Sequence, residues 1–590
     1  MNRHGAGGAG TYSPRRLPRR RNTIIGLVAA ALAGCSSSSN EPADASAVVD
    51  ATARDNVDAR DASDSGDAFV RDASSDGGAN DASDAPPFVA PAGTRQLVAG
   101  RASLVGTDAD TCTNDPSATG DRWCGFVVPS PGSVPAALWV FDATRVIAGD
   151  DVRCDGTDVR CFKLTDAALY NSFMSGTSYG FQGDTLFYRA GDGTTAPDLL
   201  NGPVFAWRPG WTAGRELVTG PGTACAAPAT RAMALCVRQA EDNTTHDLSE
   251  ELTAGALTAM DPAPLTVLDS VLLQSGATMT SVATVTEFGF SPDGATIAWS
   301  YVDTATSTET LRVAPLDGSI APATVASGVT SWRISNDGAS WLWLRSYMDD
   351  GLSPSGTLEA AAFPGGGGVT TLATSVADFD VVGAAGVLYR VNVADQVGEL
   401  RFMPDRAAPA TWAKLDDGVR LVVARAADAS TVIYTRTSTA VGDDLFLWSS
   451  GLAAPCTLTS IPSALRTATL MAGGRVVVWA SRDVRSQVLS GAATTIASCA
   501  TQTFGVDLLQ AAPASDGRLL FIDGAADGAT TGTLRVAPTS ATGVAAPGTA
   551  LGRGVDAVFA PLGGNAVFFT SSTQGGDNGL YVYTGSLLEN

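Results

Sequence analysis

A nine-residue pattern that returns at intervals of 43 to 47 residues constrains this 590-residue chain more than any other feature. Ser291-Pro292-Asp293-Gly294-Ala295-Thr296-Ile297-Ala298-Trp299 is followed by Ser335-Asn336-Asp337-Gly338-Ala339-Ser340-Trp341-Leu342-Trp343. Weaker copies end at Tyr389, Tyr434 and Trp479, and two more occupy 514–522 and 561–569. The last residues of these seven copies are spaced 44, 46, 45, 45, 43 and 47 apart, and six of the seven are aromatic. A sequence that repeats at this period builds one small unit many times, and such units become stable only by stacking on their neighbours.

Each copy reads as strands. Asp-Gly supplies a tight turn, because glycine takes positive φ cheaply and aspartate bonds nearby backbone amides. An apolar strand follows, then a second strand such as Thr310-Leu311-Arg312-Val313, Glu399-Leu400-Arg401-Phe402, Asp444-Leu445-Phe446-Leu447 or Thr533-Leu534-Arg535-Val536. With 64 glycines, 30 prolines and only 17% charged residues, the composition favours turns over long helices. Seven small sheets packed radially would bury both faces of each, which is the β-propeller solution. The aromatic that ends each copy is then expected to pack between blades rather than to form a ring of stacking residues for a ligand.

The Ser-Pro-Asp-Gly unit with its trailing Ile-Ala-Trp resembles the TolB-type, WD-like propeller repeat. Only the copies at 291, 335 and 514 are close; the others lack the Asp-Gly pair. The resemblance covers residues 280–590 and implies the propeller fold. It does not imply the Tol-system role, since nothing here reads as the α/β domain that precedes the propeller in that family. The expected fold is all-β, with about seven blades over 280–590. Residues 93–287 also read as strands (Trp123–Val128, Ala137–Phe141, Thr185–Arg189, Pro203–Trp207 and Ala232–Val237), either as degenerate blades of a larger ring of eight to ten or as a separate β-rich region. The second is the preferred expectation, and it places the regular propeller at 288–590.

The first 34 residues read as an address. Six arginines (Arg3, Arg15, Arg16, Arg19, Arg20, Arg21) precede an apolar run of twelve residues, too short to span a bilayer, which needs about 20. Leu32-Ala33-Gly34-Cys35 resembles the bacterial lipobox, which implies cleavage before Cys35 and a diacylglyceryl thioether on its thiol. Ser36 after that cysteine resembles outer-membrane sorting in enteric bacteria. Removing the six arginines, with no acid among the lost residues, takes the net charge from −22 to −28 and leaves His246 as the one histidine.

Residues 35–92 hold the lipidated cysteine and a Ser/Asp/Ala stretch. Over 36–92 there are twelve acids against Arg54, Arg60 and Arg71, with few apolar side chains. Such a segment cannot bury enough surface to offset its ordering entropy and is expected to be a disordered tether. Its acids, Asp67, Asp72 and Asp76 among them, lack the spacing of a calcium loop.

Eight cysteines remain after Cys35, an even number in an exported chain, which points to disulfides. Proximity suggests Cys112–Cys124, Cys154–Cys161 and Cys225–Cys236, each closing a hairpin. Cys456–Cys499 is the least secure pair, because outer strands of adjacent blades splay apart. Zinc is disfavoured, since no paired Cys-x-x-Cys elements are present.

No catalytic constellation emerges. His246, Asp247 and Ser249 are neighbours in sequence, not a triad, and no nucleophile elbow is present. Gly365–Gly368 lacks the lysine of a phosphate loop. The acids Asp349, Asp350, Asp416, Asp417, Asp443 and Asp444 are expected to be solvated turns. A propeller peptidase would continue into a hydrolase domain, whereas this chain ends at Asn590 within its last repeat. The acidic balance excludes nucleic acid. The expectation is a non-enzymatic outer-membrane lipoprotein, at the periplasmic face or cell surface. It would be held to the membrane through Cys35 and bind an envelope protein or glycan, with no cofactor or metal. The alternative is an exported lyase or glycoside hydrolase using carboxylates at the central channel.

Overall fold

In a computed structural model, residues 92–584 are described apart from short internal stretches, of which 105–111, 114–121, 170–179, 192–201, 560–566 and 572–578 are the longest. The signal, Cys35, the acidic tether and the Asp516-Gly517 turn lie outside the described residues. Among the described residues the fold is all-β: strand dominates at 67%, against 2% helix.

The strands form antiparallel meanders in which each strand pairs with the next along the chain. Among the described residues they divide into ten four-stranded units, beginning near 103, 180, 224, 282, 329, 376, 419, 463, 510 and 555. Seven of these start within the region of the clear repeats, and three lie in 93–287. Four long strands serve two units each: Ala323–Ile334, Thr370–Val382, Ala413–Arg425 and Thr549–Phe559. Their first halves are the outermost strand of one unit, and their second halves are the innermost strand of the next.

The crossover has a repeated local cause. In each long strand a residue at positive φ (Gly328, Ser375, Gly418, Gly554) precedes a fully buried valine (Val329, Val376, Val419, Val555). That valine pairs with both neighbouring strands, so the backbone twists there without breaking the ladder. Opposite three of the valines stands a glycine (Gly356, Gly398, Gly532). A Cβ on Gly398 or Gly532 would sit 2.6 Å from backbone oxygen, so the close approach admits no side chain.

Ten apolar clusters lie between consecutive units. Val127 and Leu138 of the first unit meet Phe181 and Trp207 of the second. Leu235 and Leu252 of the third meet Ile297 and Trp299 of the fourth. The series continues around to Leu520 and Leu534 of the ninth against Phe569 of the tenth. Phe568 and Val582 of the tenth then pack on Phe126 and Phe141 of the first, so the series closes on itself. The repeat aromatics occupy these gaps: Trp299, Trp343, Tyr389, Tyr434, Phe521 and Phe569 each pack in the cluster shared with the preceding unit. In the sixth copy the aromatic is Phe521, because it pairs with Arg535 as Trp299 pairs with Arg312; Ile522 faces the other way. The one non-aromatic ending of the sequence pattern is thus an offset of one residue.

Closure is also covalently distant pairing. The strand Thr94–Ala99 adds to Gly579–Tyr583 as the outermost strand of the last unit, with Thr94 opposite Tyr583 and Ala99 opposite Gly579. A ring whose two ends share one sheet leaves no free edge there.

Candidate functional site

Connections alternate between two faces. First-to-second and third-to-fourth strand loops lie on one face, called here the turn face, and second-to-third loops lie on the other. The two described Asp-Gly turns of the repeat motif are built alike. The Ser291 hydroxyl donates to Asp293 Oδ1 at 2.6 Å, Ala295 N–H donates to the same oxygen at 3.0 Å, and Gly294 takes φ +65°. Ser335, Asp337, Ala339 and Gly338 repeat this at 335–339. Neighbouring turns are tied together: Arg406 Nη2 donates to Asp337 at 2.6 Å, and Asn336 Nδ2 donates to Gly383 O at 2.7 Å.

Disulfides join Cys112–Cys124, Cys154–Cys161, Cys225–Cys236 and Cys456–Cys499. Cys225 and Cys236 face each other across adjacent strands. The last pair does not link two outer strands. Cys456 begins the outer strand Cys456–Thr459, whereas Cys499 sits in the turn before the next unit's outer strand Thr501–Gly505. That turn reaches back where the strands themselves diverge, which removes the geometric objection to the bridge.

His246 occupies an exposed turn on the face opposite the turn face, at φ +58°, with Nδ1 3.4 Å from Glu241 Oε1. Ser249 donates to Ala240 O across the same hairpin, so these residues do not converge as a triad. Asp349 accepts Gly351 N–H in a turn, and Asp417 pairs with Lys414 at 2.8 Å. Asp350 lies outside the described residues. Asp443 and Asp444 open a strand, opposite Thr437 and Arg436. Asp416 is a correction to the solvated-turn expectation. It lies within the strand Ala413–Arg425 and accepts the Tyr434 hydroxyl and the Arg436 guanidinium of the following unit. Buried against that carboxylate, the Tyr434 phenol is held well above its usual range.

Acids on innermost strands are likewise paired between units. Arg333 binds Glu287, and Arg425 binds Asp380 at 2.8 Å. Glu250 differs. It is buried on the third strand of its unit and accepts Val285 N–H from the next unit. Burial pushes its carboxyl up to about 7 against the pull of that bond.

One cavity of about 350 Å³ lies between the fifth and sixth units. Ala373 and Thr371 on the outer strand of the fifth unit form one wall, and Tyr389, Arg401, Pro409 and Trp412 of the sixth form the other. The Arg401 guanidinium lies over the Trp412 ring, 4.0 Å from its centroid, and its Nε donates to Glu399 Oε2 at 2.9 Å. Tyr389 is 1% exposed, yet its hydroxyl has no acceptor for its proton among the described residues. Among the described residues no group of three or more His, Cys, Asp or Glu side chains is placed to hold a metal ion.

No family model and no curated protein matches the chain. Solved structures resemble it distantly. TolB from Acinetobacter baumannii is 14% identical, with a TM-score of 0.24 over 53% of this chain and 80% of that one. The β-propeller domain of the trilobed protease from Pyrococcus furiosus is 8% identical, with a TM-score of 0.29 over 54% and 92%. Oligogalacturonate lyase from Vibrio parahaemolyticus is 10% identical, with a TM-score of 0.29 over 59% and 96%. Likenesses this distant decide nothing about chemistry, and the propeller architecture stands on the strand order and packing above.

Proposed function

We propose that the chain is an exported lipoprotein whose ring of ten blades is a rigid scaffold, tethered through lipidated Cys35 and the acidic stretch to a bacterial outer membrane, where it binds an envelope protein or glycan. One observation carries the binding reading. The third-to-fourth strand loops of three consecutive units (the fourth, fifth and sixth) each present a large apolar side chain to solvent on the turn face: Ile320 at 67% exposed, Val369 at 51% and Trp412 at 41%. Apolar side chains repeated at one rim of successive units form the kind of surface that marks interaction sites. Four disulfides support an extracytoplasmic location. The ion pairs of Glu287 and Asp380 weigh against the alternative of carboxylate catalysis in the channel, because each of those acids is already neutralised by an arginine.

The test is capture of partners from the native envelope with the tethered protein and with an Ile320→Ser/Val369→Ser/Trp412→Ser variant of unchanged melting temperature. Loss of a specific partner in the variant supports the scaffold reading. Equal capture by both proteins, or turnover of a glycan panel by the wild type alone, overturns it. Cys35→Ser is expected to release the protein from the membrane fraction.

A further inference from the structure

Two gaps between units share an acid at one position of the outer strand, and alanine holds that position in the gap that contains the cavity. In each of several units the third and fourth strands slip register by one residue at the same place, after a leucine or its equivalent: Leu252 faces Asp269, Leu400 faces Asp416, and Leu358 faces Ala373. Asp269 and Asp416 therefore hold equivalent sites on the outer strands of the third and sixth units, and Ala373 holds that site on the fifth. What faces the site is also equivalent. Trp299 pairs across strands with Arg312 in the fourth unit, and Tyr389 pairs with Arg401 in the sixth.

Where the acid is present, it collects the donors opposite. Asp269 accepts Arg312 Nη1 on both oxygens at 2.6 and 2.5 Å, Trp299 Nε1 at 3.0 Å and the Tyr301 hydroxyl at 3.1 Å. Asp416 accepts the Tyr434 hydroxyl and Arg436. Where Ala373 stands, Arg401 turns to Glu399 and the Tyr389 hydroxyl is left with no acceptor. The buried Tyr389 hydroxyl has no acceptor for its proton among the described residues, and the Arg401 guanidinium stands beside it with Nε and Nη2 serving Glu399. Burial raises the Tyr389 phenol against the pull of the nearby Arg401, so it stays a neutral donor. A buried donor left unsatisfied is unfavourable, and a cavity lined by one with a guanidinium beside it is matched to an anionic acceptor.

We propose that this cavity binds a small organic monocarboxylate, whose carboxylate takes the place that the Asp269 and Asp416 side chains fill in two other gaps. The carboxylate accepts from Tyr389 Oη and Arg401 Nη1, and the remainder of the molecule lies against Pro409 and the Trp412 ring. Glu399 neutralises part of the Arg401 charge, which selects a singly charged ligand over sulfate or phosphate. The site does not involve the tether, and it shares Trp412 with the apolar rim on the turn face.

The experiment is calorimetric and ligand-observed NMR titration of the full chain with benzoate and glucuronate, with benzamide, glucose and sulfate as controls. The two acids separate an aromatic from a sugar frame around the same carboxylate. The expected result is binding of one or both acids, with neutral analogues and sulfate at least ~10-fold weaker. Tyr389→Phe is expected to weaken binding about 10-fold, the loss of one hydrogen bond to a charged group. Ala373→Asp supplies the carboxylate from within and is expected to abolish binding while raising the melting temperature. If Ala373→Asp does not fold, Tyr389→Phe and Arg401→Gln decide alone. Failure of both acids to bind the wild type, binding of sulfate or the neutral analogues as tight as that of the acids, or affinity unchanged in Tyr389→Phe and Arg401→Gln, overturns the proposal.

Discussion

Asp269→Ala is the substitution that most directly tests how the blades hold together. The carboxylate is 9% exposed and receives three side chains from the next unit, one of them the Arg312 guanidinium, itself 27% exposed. Removing one partner of a buried ion pair costs about 3–5 kcal/mol, and each stranded neutral donor about 1–3 kcal/mol. Arg312 retains some water and can turn toward it, so the lower end applies, about 3 kcal/mol in all. Unfolding entropy of about 2.1 cal/mol/K per residue over roughly 490 residues is ~1 kcal/mol/K, so the melting temperature should fall by about 3 °C if the ring unfolds as one body. Scanning calorimetry on oxidised protein measures this. Asp269→Asn keeps an acceptor for Trp299 and Tyr301 and should lose about half as much. Combining Asp269→Ala with Arg312→Met should cost less than the sum of the single changes by ~1–3 kcal/mol, since the orphaned cation is gone. A melting temperature for Asp269→Ala within half a degree of wild type would refute the idea that this acid latches adjacent blades.

Two further outcomes follow from the same structure. Cys456 and Cys499 close a loop with a separation of 43, against 7 for Cys154 and Cys161. Chain-entropy reasoning assigns these about 4 and about 2 kcal/mol, so calorimetry of the paired-serine variants should show the larger loss for the first, and the reverse order would contradict it. Glu250 is raised to about 7 by burial, whereas unfolded it titrates near its ordinary value. The folded state therefore holds the proton more tightly, and its contribution is complete below the unfolded pKa and lost as pH rises through about 7. Glu250→Gln should accordingly stabilise at pH 8 relative to pH 5, by up to ~3 kcal/mol or about 3 °C, and an equal effect at both pH values would count against it.

How much of this was legible beforehand depends on the distance over which each feature is decided. The Asp-Gly turns at 291 and 335 were readable because Ser, Asp and Gly within five residues satisfy one another's backbone groups. The aromatic endings were readable because a residue type repeated at one period. Three N-terminal units were harder. They lack Asp-Gly between their first two strands, and among the described residues Phe126 and Tyr188 repeat the buried aromatic of the regular copies. Like Tyr434 against Phe446, Tyr188 stacks on a cross-strand partner, Phe205. The signal that was overlooked lies at the strand pivots, where a residue at positive φ precedes a buried valine and a glycine stands opposite. That signal is spread over about 20 residues and two strands. Asp416 was mistaken for a turn residue because adjacent acids look solvated in sequence, while register places it in a gap.

The amino-acid sequence by itself determined the repeated strand-turn-strand unit, its period and the even cysteine set, since these follow from local backbone preference and from counting. Only the tertiary structure decided that Thr94–Ala99 completes the last sheet beside Gly579–Tyr583, and that Asp269, Asp416 and Ala373 are equivalent. Those relations join residues in different units or at opposite ends of the chain. They depend on a one-residue slip in register, which turns a side chain toward or away from the neighbouring blade and which no local preference specifies.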